Sequence, residues 1–352
     1  MNKKQNKYIY GFAKIEDGKD ICTLLETGEF KGNIGLVYSK RPNAVLSALK
    51  DGYDSKIAIV TNKYNNEISG MGICTLNNFI VNGNIEKTAY LSGFRILKGK
   101  IGNIFKVYKM FEDYCRENNV KYTYTTILDD NKYALKMFSK KRKNMPDYVK
   151  IADYTVNILM KNIKYKSNNI CKKTEETDYK KLEEFIQKES KNKQFFPYID
   201  LNNGFFNLTY KDFYTLKNKD GEILACGILW NQTDYKQLIV KHYSFKYKII
   251  SMLSKIILKP LNYPFLPKTN DKVNYSTLSF VLVKNDNGEY LNDFIKQISH
   301  FVKEDLFVYA STKTQKISKM QYKSNIYIVD WNKNFDKNKF NFQNLYIECG
   351  LL

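Results

Sequence analysis

Apolar and polar positions alternate with period two over residues 8–13, 34–38, 56–61 and 68–76, the signature of strands with one buried face. Asn65-Asn66 turns the chain between the last two, and residues 79–81 carry the fourth on to Asn82-Gly83-Asn84, a hairpin signal. A further strand is predicted over 86–96. The period then changes: Ile104, Val107, Tyr108, Phe111, Tyr114 and Cys115 share one face at 3.6-residue spacing, which predicts an amphipathic helix over 103–117. A strand over 120–127, a helix over 129–140 capped by Asp129 or Asp130 and stopped by Pro146, and a closing strand over 151–160 complete this half. Before the meander, short helices are expected at 17–25, opened by Asp17 as cap, and from Arg41-Pro42-Asn43 to Gly52.

A polar stretch, 161–169, precedes a second pass over similar ground. Helix is expected at 178–188, a hairpin at Lys219-Asp220-Gly221, strands at 223–230 and 237–244, and a helix at 246–258 before a loop holding Pro260, Pro264 and Pro267. Then come a strand at 275–283, a helix at 290–303, and strands at 306–310, 325–331 and 345–349. The two element orders match although the sequences do not, which suggests a repeated fold. With 352 residues the chain suits two domains better than one. The expected class is α/β (α+β), with units at 1–162 and 168–352, each a mixed, mostly antiparallel twisted sheet flanked by helices.

Composition changes little in this picture. Hydrophobic residues make up 43% and aromatic residues 15%, enough for two packed cores. The formal net charge is +21, yet only four of the 57 basic residues are arginine (Arg41, Arg95, Arg116, Arg142). Lys, Asn, Ile, Tyr and Phe are abundant together, as an A/T-rich coding sequence produces, so the excess reads as solvated surface lysine. The alternative is a face for an anionic partner: a CoA phosphate, an acidic substrate or RNA. The densest run, Lys140-Lys141-Arg142-Lys143, carries no interleaved aromatics and singles out no nucleic-acid groove. Six scattered cysteines without a CxxC pair, and only His242 and His300 beside them, assemble no metal site. Reduced thiols, Cys74 and Cys115 in the core among them, fit a cytoplasmic protein. No signal peptide or membrane span is legible, so no membrane partner is expected.

Chemistry concentrates in residues 91–103. A strand enters a short basic turn, Lys98-Gly99-Lys100-Ile101-Gly102-Asn103, that opens directly into the amphipathic helix. Gly99 and Gly102 let backbone amides approach a ligand closely, and the helix start offers unpaired amides at its positive dipole end. With Lys98 and Lys100 this forms an anion cradle suited to a pyrophosphate. Glycine pairs before helices also serve as plain turns.

The order strand, phosphate loop, helix, strand, then helix with Asn131-Lys132-Tyr133-Ala134, resembles motifs A and B of the GNAT superfamily of N-acetyltransferases. Tyr90-Leu91-Ser92-Gly93-Phe94-Arg95-Ile96 is similar to a strand of bacterial tandem GNAT proteins. Similar to the same group are the run from Thr125-Thr126-Ile127 through Asn131 to Met145-Pro146-Asp147-Tyr148, the run from Leu229-Trp230 to Lys236-Gln237, and Ile326-Tyr327-Ile328-Val329-Asp330-Trp331. The likeness spans nearly the whole chain. Two departures stand out: the loop is one glycine short, and Phe138 stands where many members carry a general-acid tyrosine.

The resemblance implies transfer of an acyl group from acetyl-CoA, or another acyl-CoA, to an amine on a small molecule, peptide or protein, with no metal. Amides of Phe94, Arg95 and Ile96 would polarise the thioester; Lys98, Gly99, Lys100, Ile101, Gly102 and Asn103 would hold the pyrophosphate, and Asn131 the pantetheine arm. Glu86 is the first candidate base, although it also reads as an exposed hairpin carboxylate. Tyr133 is a candidate acid that equally fits a core position, and Ser92 could support a water. In the second unit Lys284-Asn285-Asp286-Asn287-Gly288-Glu289 has one glycine and two carboxylates where phosphate would sit, so this unit is expected to be degenerate and to shape the acceptor pocket. Competing readings are an aminoacyl-tRNA-dependent transferase and a non-catalytic CoA- or ligand-binding protein.

Overall fold

The alternating segments form long strands, and most of the described strands pair in one sheet. The computed structural model describes residues 7–30, 32–97, 104–138, 142, 144–160, 165, 167–249, 251, 266–313 and 317–352. The first part of the chain gives β1 (Tyr8–Phe12), α1 (Gly18–Leu25), β2 (Glu29–Phe30), β3 (Ile34–Ser39), α2 (Ala44–Ala48), β4 (Asp54–Asn62), β5 (Ile68–Val81), β6 (Asn84–Ile96), α3 (Ile104–Glu117), β7 (Tyr122–Leu128), α4 (Lys132–Phe138) and β8 (Asp147–Leu159). The second gives β9 (Ile170–Lys173), α5 (Tyr179–Ser190), β10 (Phe196–Pro197), β11 (Phe213–Lys217), β12 (Ile223–Trp230), β13 (Gln237–Tyr243), β14 (Tyr275–Val283), α6 (Gly288–Ile298), β15 (Leu306–Ser311) and β16 (Met320–Asp330).

The main sheet runs β1-β4-β5-β6-β7-β16-β8-β15-β14-β12-β11-β9, with β10 added to β5; β13, β3 and β2 form a separate three-stranded sheet. Pairing is antiparallel except for β6 with β7 and β14 with β15. This mixed, mostly antiparallel sheet flanked by helices is the class expected from the pattern. The closing strands cross over. β16, from the last part of the chain, pairs with β8 along its whole length and with β7 over Ser324–Ile328, and β8 continues on to β15.

Period-two burial places the helices. Ile57 and Ile59 of β4 face α1 and α2, packing with Ile21, Leu25 and Ala44. Ala58 and Val60 face the other way, onto Val107, Tyr108, Phe111 and Tyr114 of α3. A third core joins both parts of the chain: Phe79, Tyr90, Tyr124 and Tyr154 pack with Phe195, Phe213, Trp230, Phe280 and Ile326.

Several local expectations change. Asp17 does not accept from a helix amide; its carboxylate takes the Lys14 N–H at 2.7 Å. Asn131, rather than Asp129 or Asp130, caps α4 by accepting from Ala134 N at 3.1 Å, while Asp129 is taken by the Asn325 amide. Residues 237–244 leave the main sheet to pair with β3. Residues 345–349 form no strand: Leu345 makes an isolated bridge to Gln194, and a 3-10 turn follows at Cys349–Leu351. Of the helix expected at 246–258, residues 246–249 and 251 are helical and the rest lie outside the described residues. Among the described residues no helix is long and apolar enough to cross a membrane.

Candidate functional site

β6 and β7 run parallel only where Thr88–Leu91 meets Tyr122–Thr125. Beyond that point β7 continues against β16 and β6 stays on β5, so the strands part. Thr125 Oγ1 closes the last rung by donating to Leu91 O at 2.7 Å, and the hydroxyls of Tyr90 and Thr126 lie 2.7 Å apart.

At the parting the register between β5 and β6 shifts, leaving Gly93 and Phe94 without partners in a bulge. Gly93 has φ +63°, a left-handed conformation that glycine adopts without strain. A bulge twists its strand and re-aims the amides, here beside the gap. Phe94 stacks on Tyr108 at 5.3 Å between centroids and meets Phe111 edge-on at 6.0 Å. Phe138 stacks on Tyr148 at 4.0 Å, and the Tyr108 and Tyr148 hydroxyls are 2.5 Å apart. Burial raises both phenol pKa values.

The second part of the chain repeats this geometry. β14 pairs in parallel with β15 only over Tyr275–Thr277, its register with β12 shifts between Cys226 and Ile228, and Phe280 has φ +54°. Here the bulge is occupied. Phe280 N donates to Glu348 at 2.6 Å, Val281 N donates to the Tyr346 hydroxyl at 3.0 Å, and that hydroxyl donates to Glu348 at 2.6 Å. Glu348 is 1% exposed. The α6 amides of Glu289 and Tyr290 are taken by Asn287, and Asp286 pairs with Lys193. One parting is filled by the chain's own residues. Among the described residues no side chain accepts from the Gly93 or Phe94 amide.

Ser92, Phe94 and Arg95 therefore lie together at the open parting, Ser92 half-buried and Ile96 43% exposed beyond it. Glu86 is not brought there: it pairs with Lys121 near the hairpin end of β6, roughly 20 Å along the strand from Ser92. Tyr133 is 77% exposed on α4 rather than in the core, and Asn131 is engaged as its cap. Lys98, Gly99, Lys100, Ile101, Gly102 and Asn103 lie outside the described residues.

A polar cluster that sequence reading missed faces the α1 side of β6. Tyr38 of β3 lies within electrostatic reach of Tyr90, Arg95, Asp51 and Lys236. Lys40 and Lys236 both pair with Asp51, Lys236 at 3.0 Å, and Lys236 Nζ donates to Gly350 O at 2.7 Å. Gln237 fixes this crossing by bonding both N and O of Arg41. Tyr235 and Tyr275 stand nearby, and burial raises the pKa of Tyr38, Tyr90, Tyr235 and Tyr275. Tyr38, Tyr235, Tyr275 and Arg95 are half-buried. Tyr235-Lys236-Gln237 falls in a run the family likeness covers, but no spacing tells that it folds across to residues 38–51.

No protein-family model matches the chain, and no curated protein matches it in sequence. Solved structures do match in fold. Saccharomyces cerevisiae N-myristoyltransferase with bound myristoyl-CoA is 9% identical with a TM-score of 0.58, covering 92% of this chain and 79% of that one. A GCN5-related N-acetyltransferase from Sphaerobacter thermophilus is 8% identical with a TM-score of 0.55, covering 96% and 99%. The chain thus shares the GNAT fold over nearly its whole length.

Proposed function

We propose that the chain is an acyl-CoA-dependent N-acyltransferase, acting with acetyl-CoA in the simplest case on a primary amine in one ternary complex. The observation that carries this is the contrast between two bulged, parting strands: the β14 amides are consumed by Glu348 and Tyr346, whereas no side chain among the described residues accepts from the Gly93 or Phe94 amide. Preorganised amides beside an open gap stabilise negative charge developing on an oxygen. Two neighbours of the same fold bear acyltransferase names, one with myristoyl-CoA bound, which supports the substrate class. We further read the chain as two GNAT-like units, 1–162 and 168–352, with exchanged closing strands, the second lending Tyr235 and Lys236 to the acceptor cleft.

An acyl-CoA supplies an activated carbonyl and a thiol leaving group. In this reading the Gly93 and Phe94 amides hold the carbonyl oxygen while the amine nitrogen bonds to the carbonyl carbon and the carbon–sulfur bond breaks. The amine's proton passes to water held near Ser92, and the departing thiolate takes one up. Phe138 has no proton to give; the Tyr148 hydroxyl beside it stays protonated because burial raises its pKa. The turn 98–103 is the proposed pyrophosphate contact.

The test is thermal shift with CoA, acetyl-CoA, myristoyl-CoA and tRNA, together with thiol release from acetyl-CoA over an amine panel. A CoA ligand near one hundred times its Kd should add about 2.7 kcal/mol, or roughly 3–6 °C in Tm, and Gly99→Glu should abolish the shift. Stabilisation by tRNA alone would instead favour the aminoacyl-tRNA-dependent reading. CoA binding without turnover of any amine would leave a ligand-binding protein.

A further inference from the structure

Three of the four arginines are exposed, and two of those grip carboxylates: Arg41 holds Glu26 through Nε and Nη2 at 2.7 and 2.6 Å, and Arg116 holds Glu112 at 2.6 Å. Arg95 differs. It is the half-buried one, and among the described residues no carboxylate lies within ion-pair distance of it. None of the residues outside the described set is an aspartate or glutamate. Its Nη1 donates to Phe94 O at 2.9 Å, its enclosed Nε meets no acceptor, and burial lowers its pKa. Gly28 makes room for it: a Cβ there would come within 2.2 Å of Nε. The guanidinium is thus held one residue from the bulge without a carboxylate to neutralise it, and a half-buried, unpaired cation is unfavourable unless a ligand completes it.

The side of the sheet decides which ligand. Phe94 packs on α3, whose start the phosphate turn leads into, while Arg95 lies on the opposite face beside Gly28 and Tyr38. A diphosphate held at the start of α3 would lie on the Phe94 side of the sheet, away from the guanidinium beside Gly28. On the Arg95 side stands Tyr38, with Tyr235 and Tyr275 beside it, and the acid there, Asp51, is already shared by Lys40 and Lys236.

We propose that Arg95 recognises a carboxylate carried by the acceptor, so that the substrates are small primary amines with an acid group a few bonds from the amine, amino acids being the simplest. This rests on the acyltransferase reading. A planar guanidinium suits a carboxylate geometrically, and its closeness to Phe94 sets the short span between acid and amine.

The experiment measures thiol release from acetyl-CoA with proteinogenic amino acids, the same compounds as carboxamides, and alkyl amines, beside thermal shifts with CoA and with the amino acids alone. Wild type, Arg95→Gln and Gly28→Ala are compared, the last displacing the guanidinium while leaving it in the chain. The free acids should exceed their carboxamides by roughly 100-fold in kcat/KM. Both variants should erase that preference while keeping the CoA shift. Carboxamides or alkyl amines reacting as well as acids, or variants that lose acids and carboxamides equally, would overturn the proposal and leave acyl transfer standing. Amino-acid stabilisation that depends on Arg95, without CoA binding or turnover, would keep the carboxylate site and remove the acyltransferase. Neither binding nor turnover would end both.

Discussion

Glu348 is the residue whose chemistry distinguishes the two partings. Its carboxylate accepts from Phe280 N, Gly350 N and the Tyr346 hydroxyl, yet burial outweighs those bonds and raises its pKa. A carboxyl raised in the folded state favours folding below its unfolded value and loses that contribution as pH rises through the folded value. The difference in Tm between wild type and Glu348→Gln should therefore move against wild type as pH rises from about 4 upward through the raised value. A flat difference across that range would contradict the assignment. Glu348→Ala, which strands buried donors, should cost about 3 kcal/mol in urea unfolding.

Among the elements, the bulge in β6 carries the most consequence. Gly93→Ala forces a side chain into φ +63° and brings its Cβ within 2.8 Å of Ile73. A loss of about 1–2 kcal/mol in stability is expected. Because the same shift misaims the amides, turnover should also fall by about 100-fold. Gly83 has φ +77° with nothing within 4 Å, so Gly83→Ala supplies the control. It should lose comparable stability at unchanged kcat, and equal rate losses in both variants would detach the bulge from catalysis.

For the molecule as a whole, the pairing of β16 with β7 and β8, and of β8 with β15, has mechanical consequences. The registers of Ser324–Ile328 on Leu128–Tyr124 and of Met320–Asp330 on Ile158–Asp147 tie the last long strand into the first half, and β8 ties that half to β15. Chains split within 161–169 should stay associated, co-eluting on gel filtration and unfolding in one transition. Residues 1–162 alone should aggregate, since β7 and β8 would present unpaired edges. Two separate transitions in the split protein would speak against this coupling.

Sequence by itself determined the elements whose burial repeats locally: the meander of β4, β5 and β6, the face of α3, and the hairpin at Asn82-Gly83 all follow from period and turn chemistry. It also singled out the end of β6 and the basic turn after it as the candidate site, because glycines and lysines ahead of a helix are local features. Only tertiary structure decided that β16 rather than β8 lies against β7, that residues 345–349 fill the second parting instead of forming a strand, that Glu86 stays at the far end of its strand, and that Arg95 and Lys236 both come close to Tyr38. Periodicity records which face of a segment is buried, not which distant segment buries it. Strand partners and clefts are contacts between residues far apart in the chain, so no local pattern encodes them.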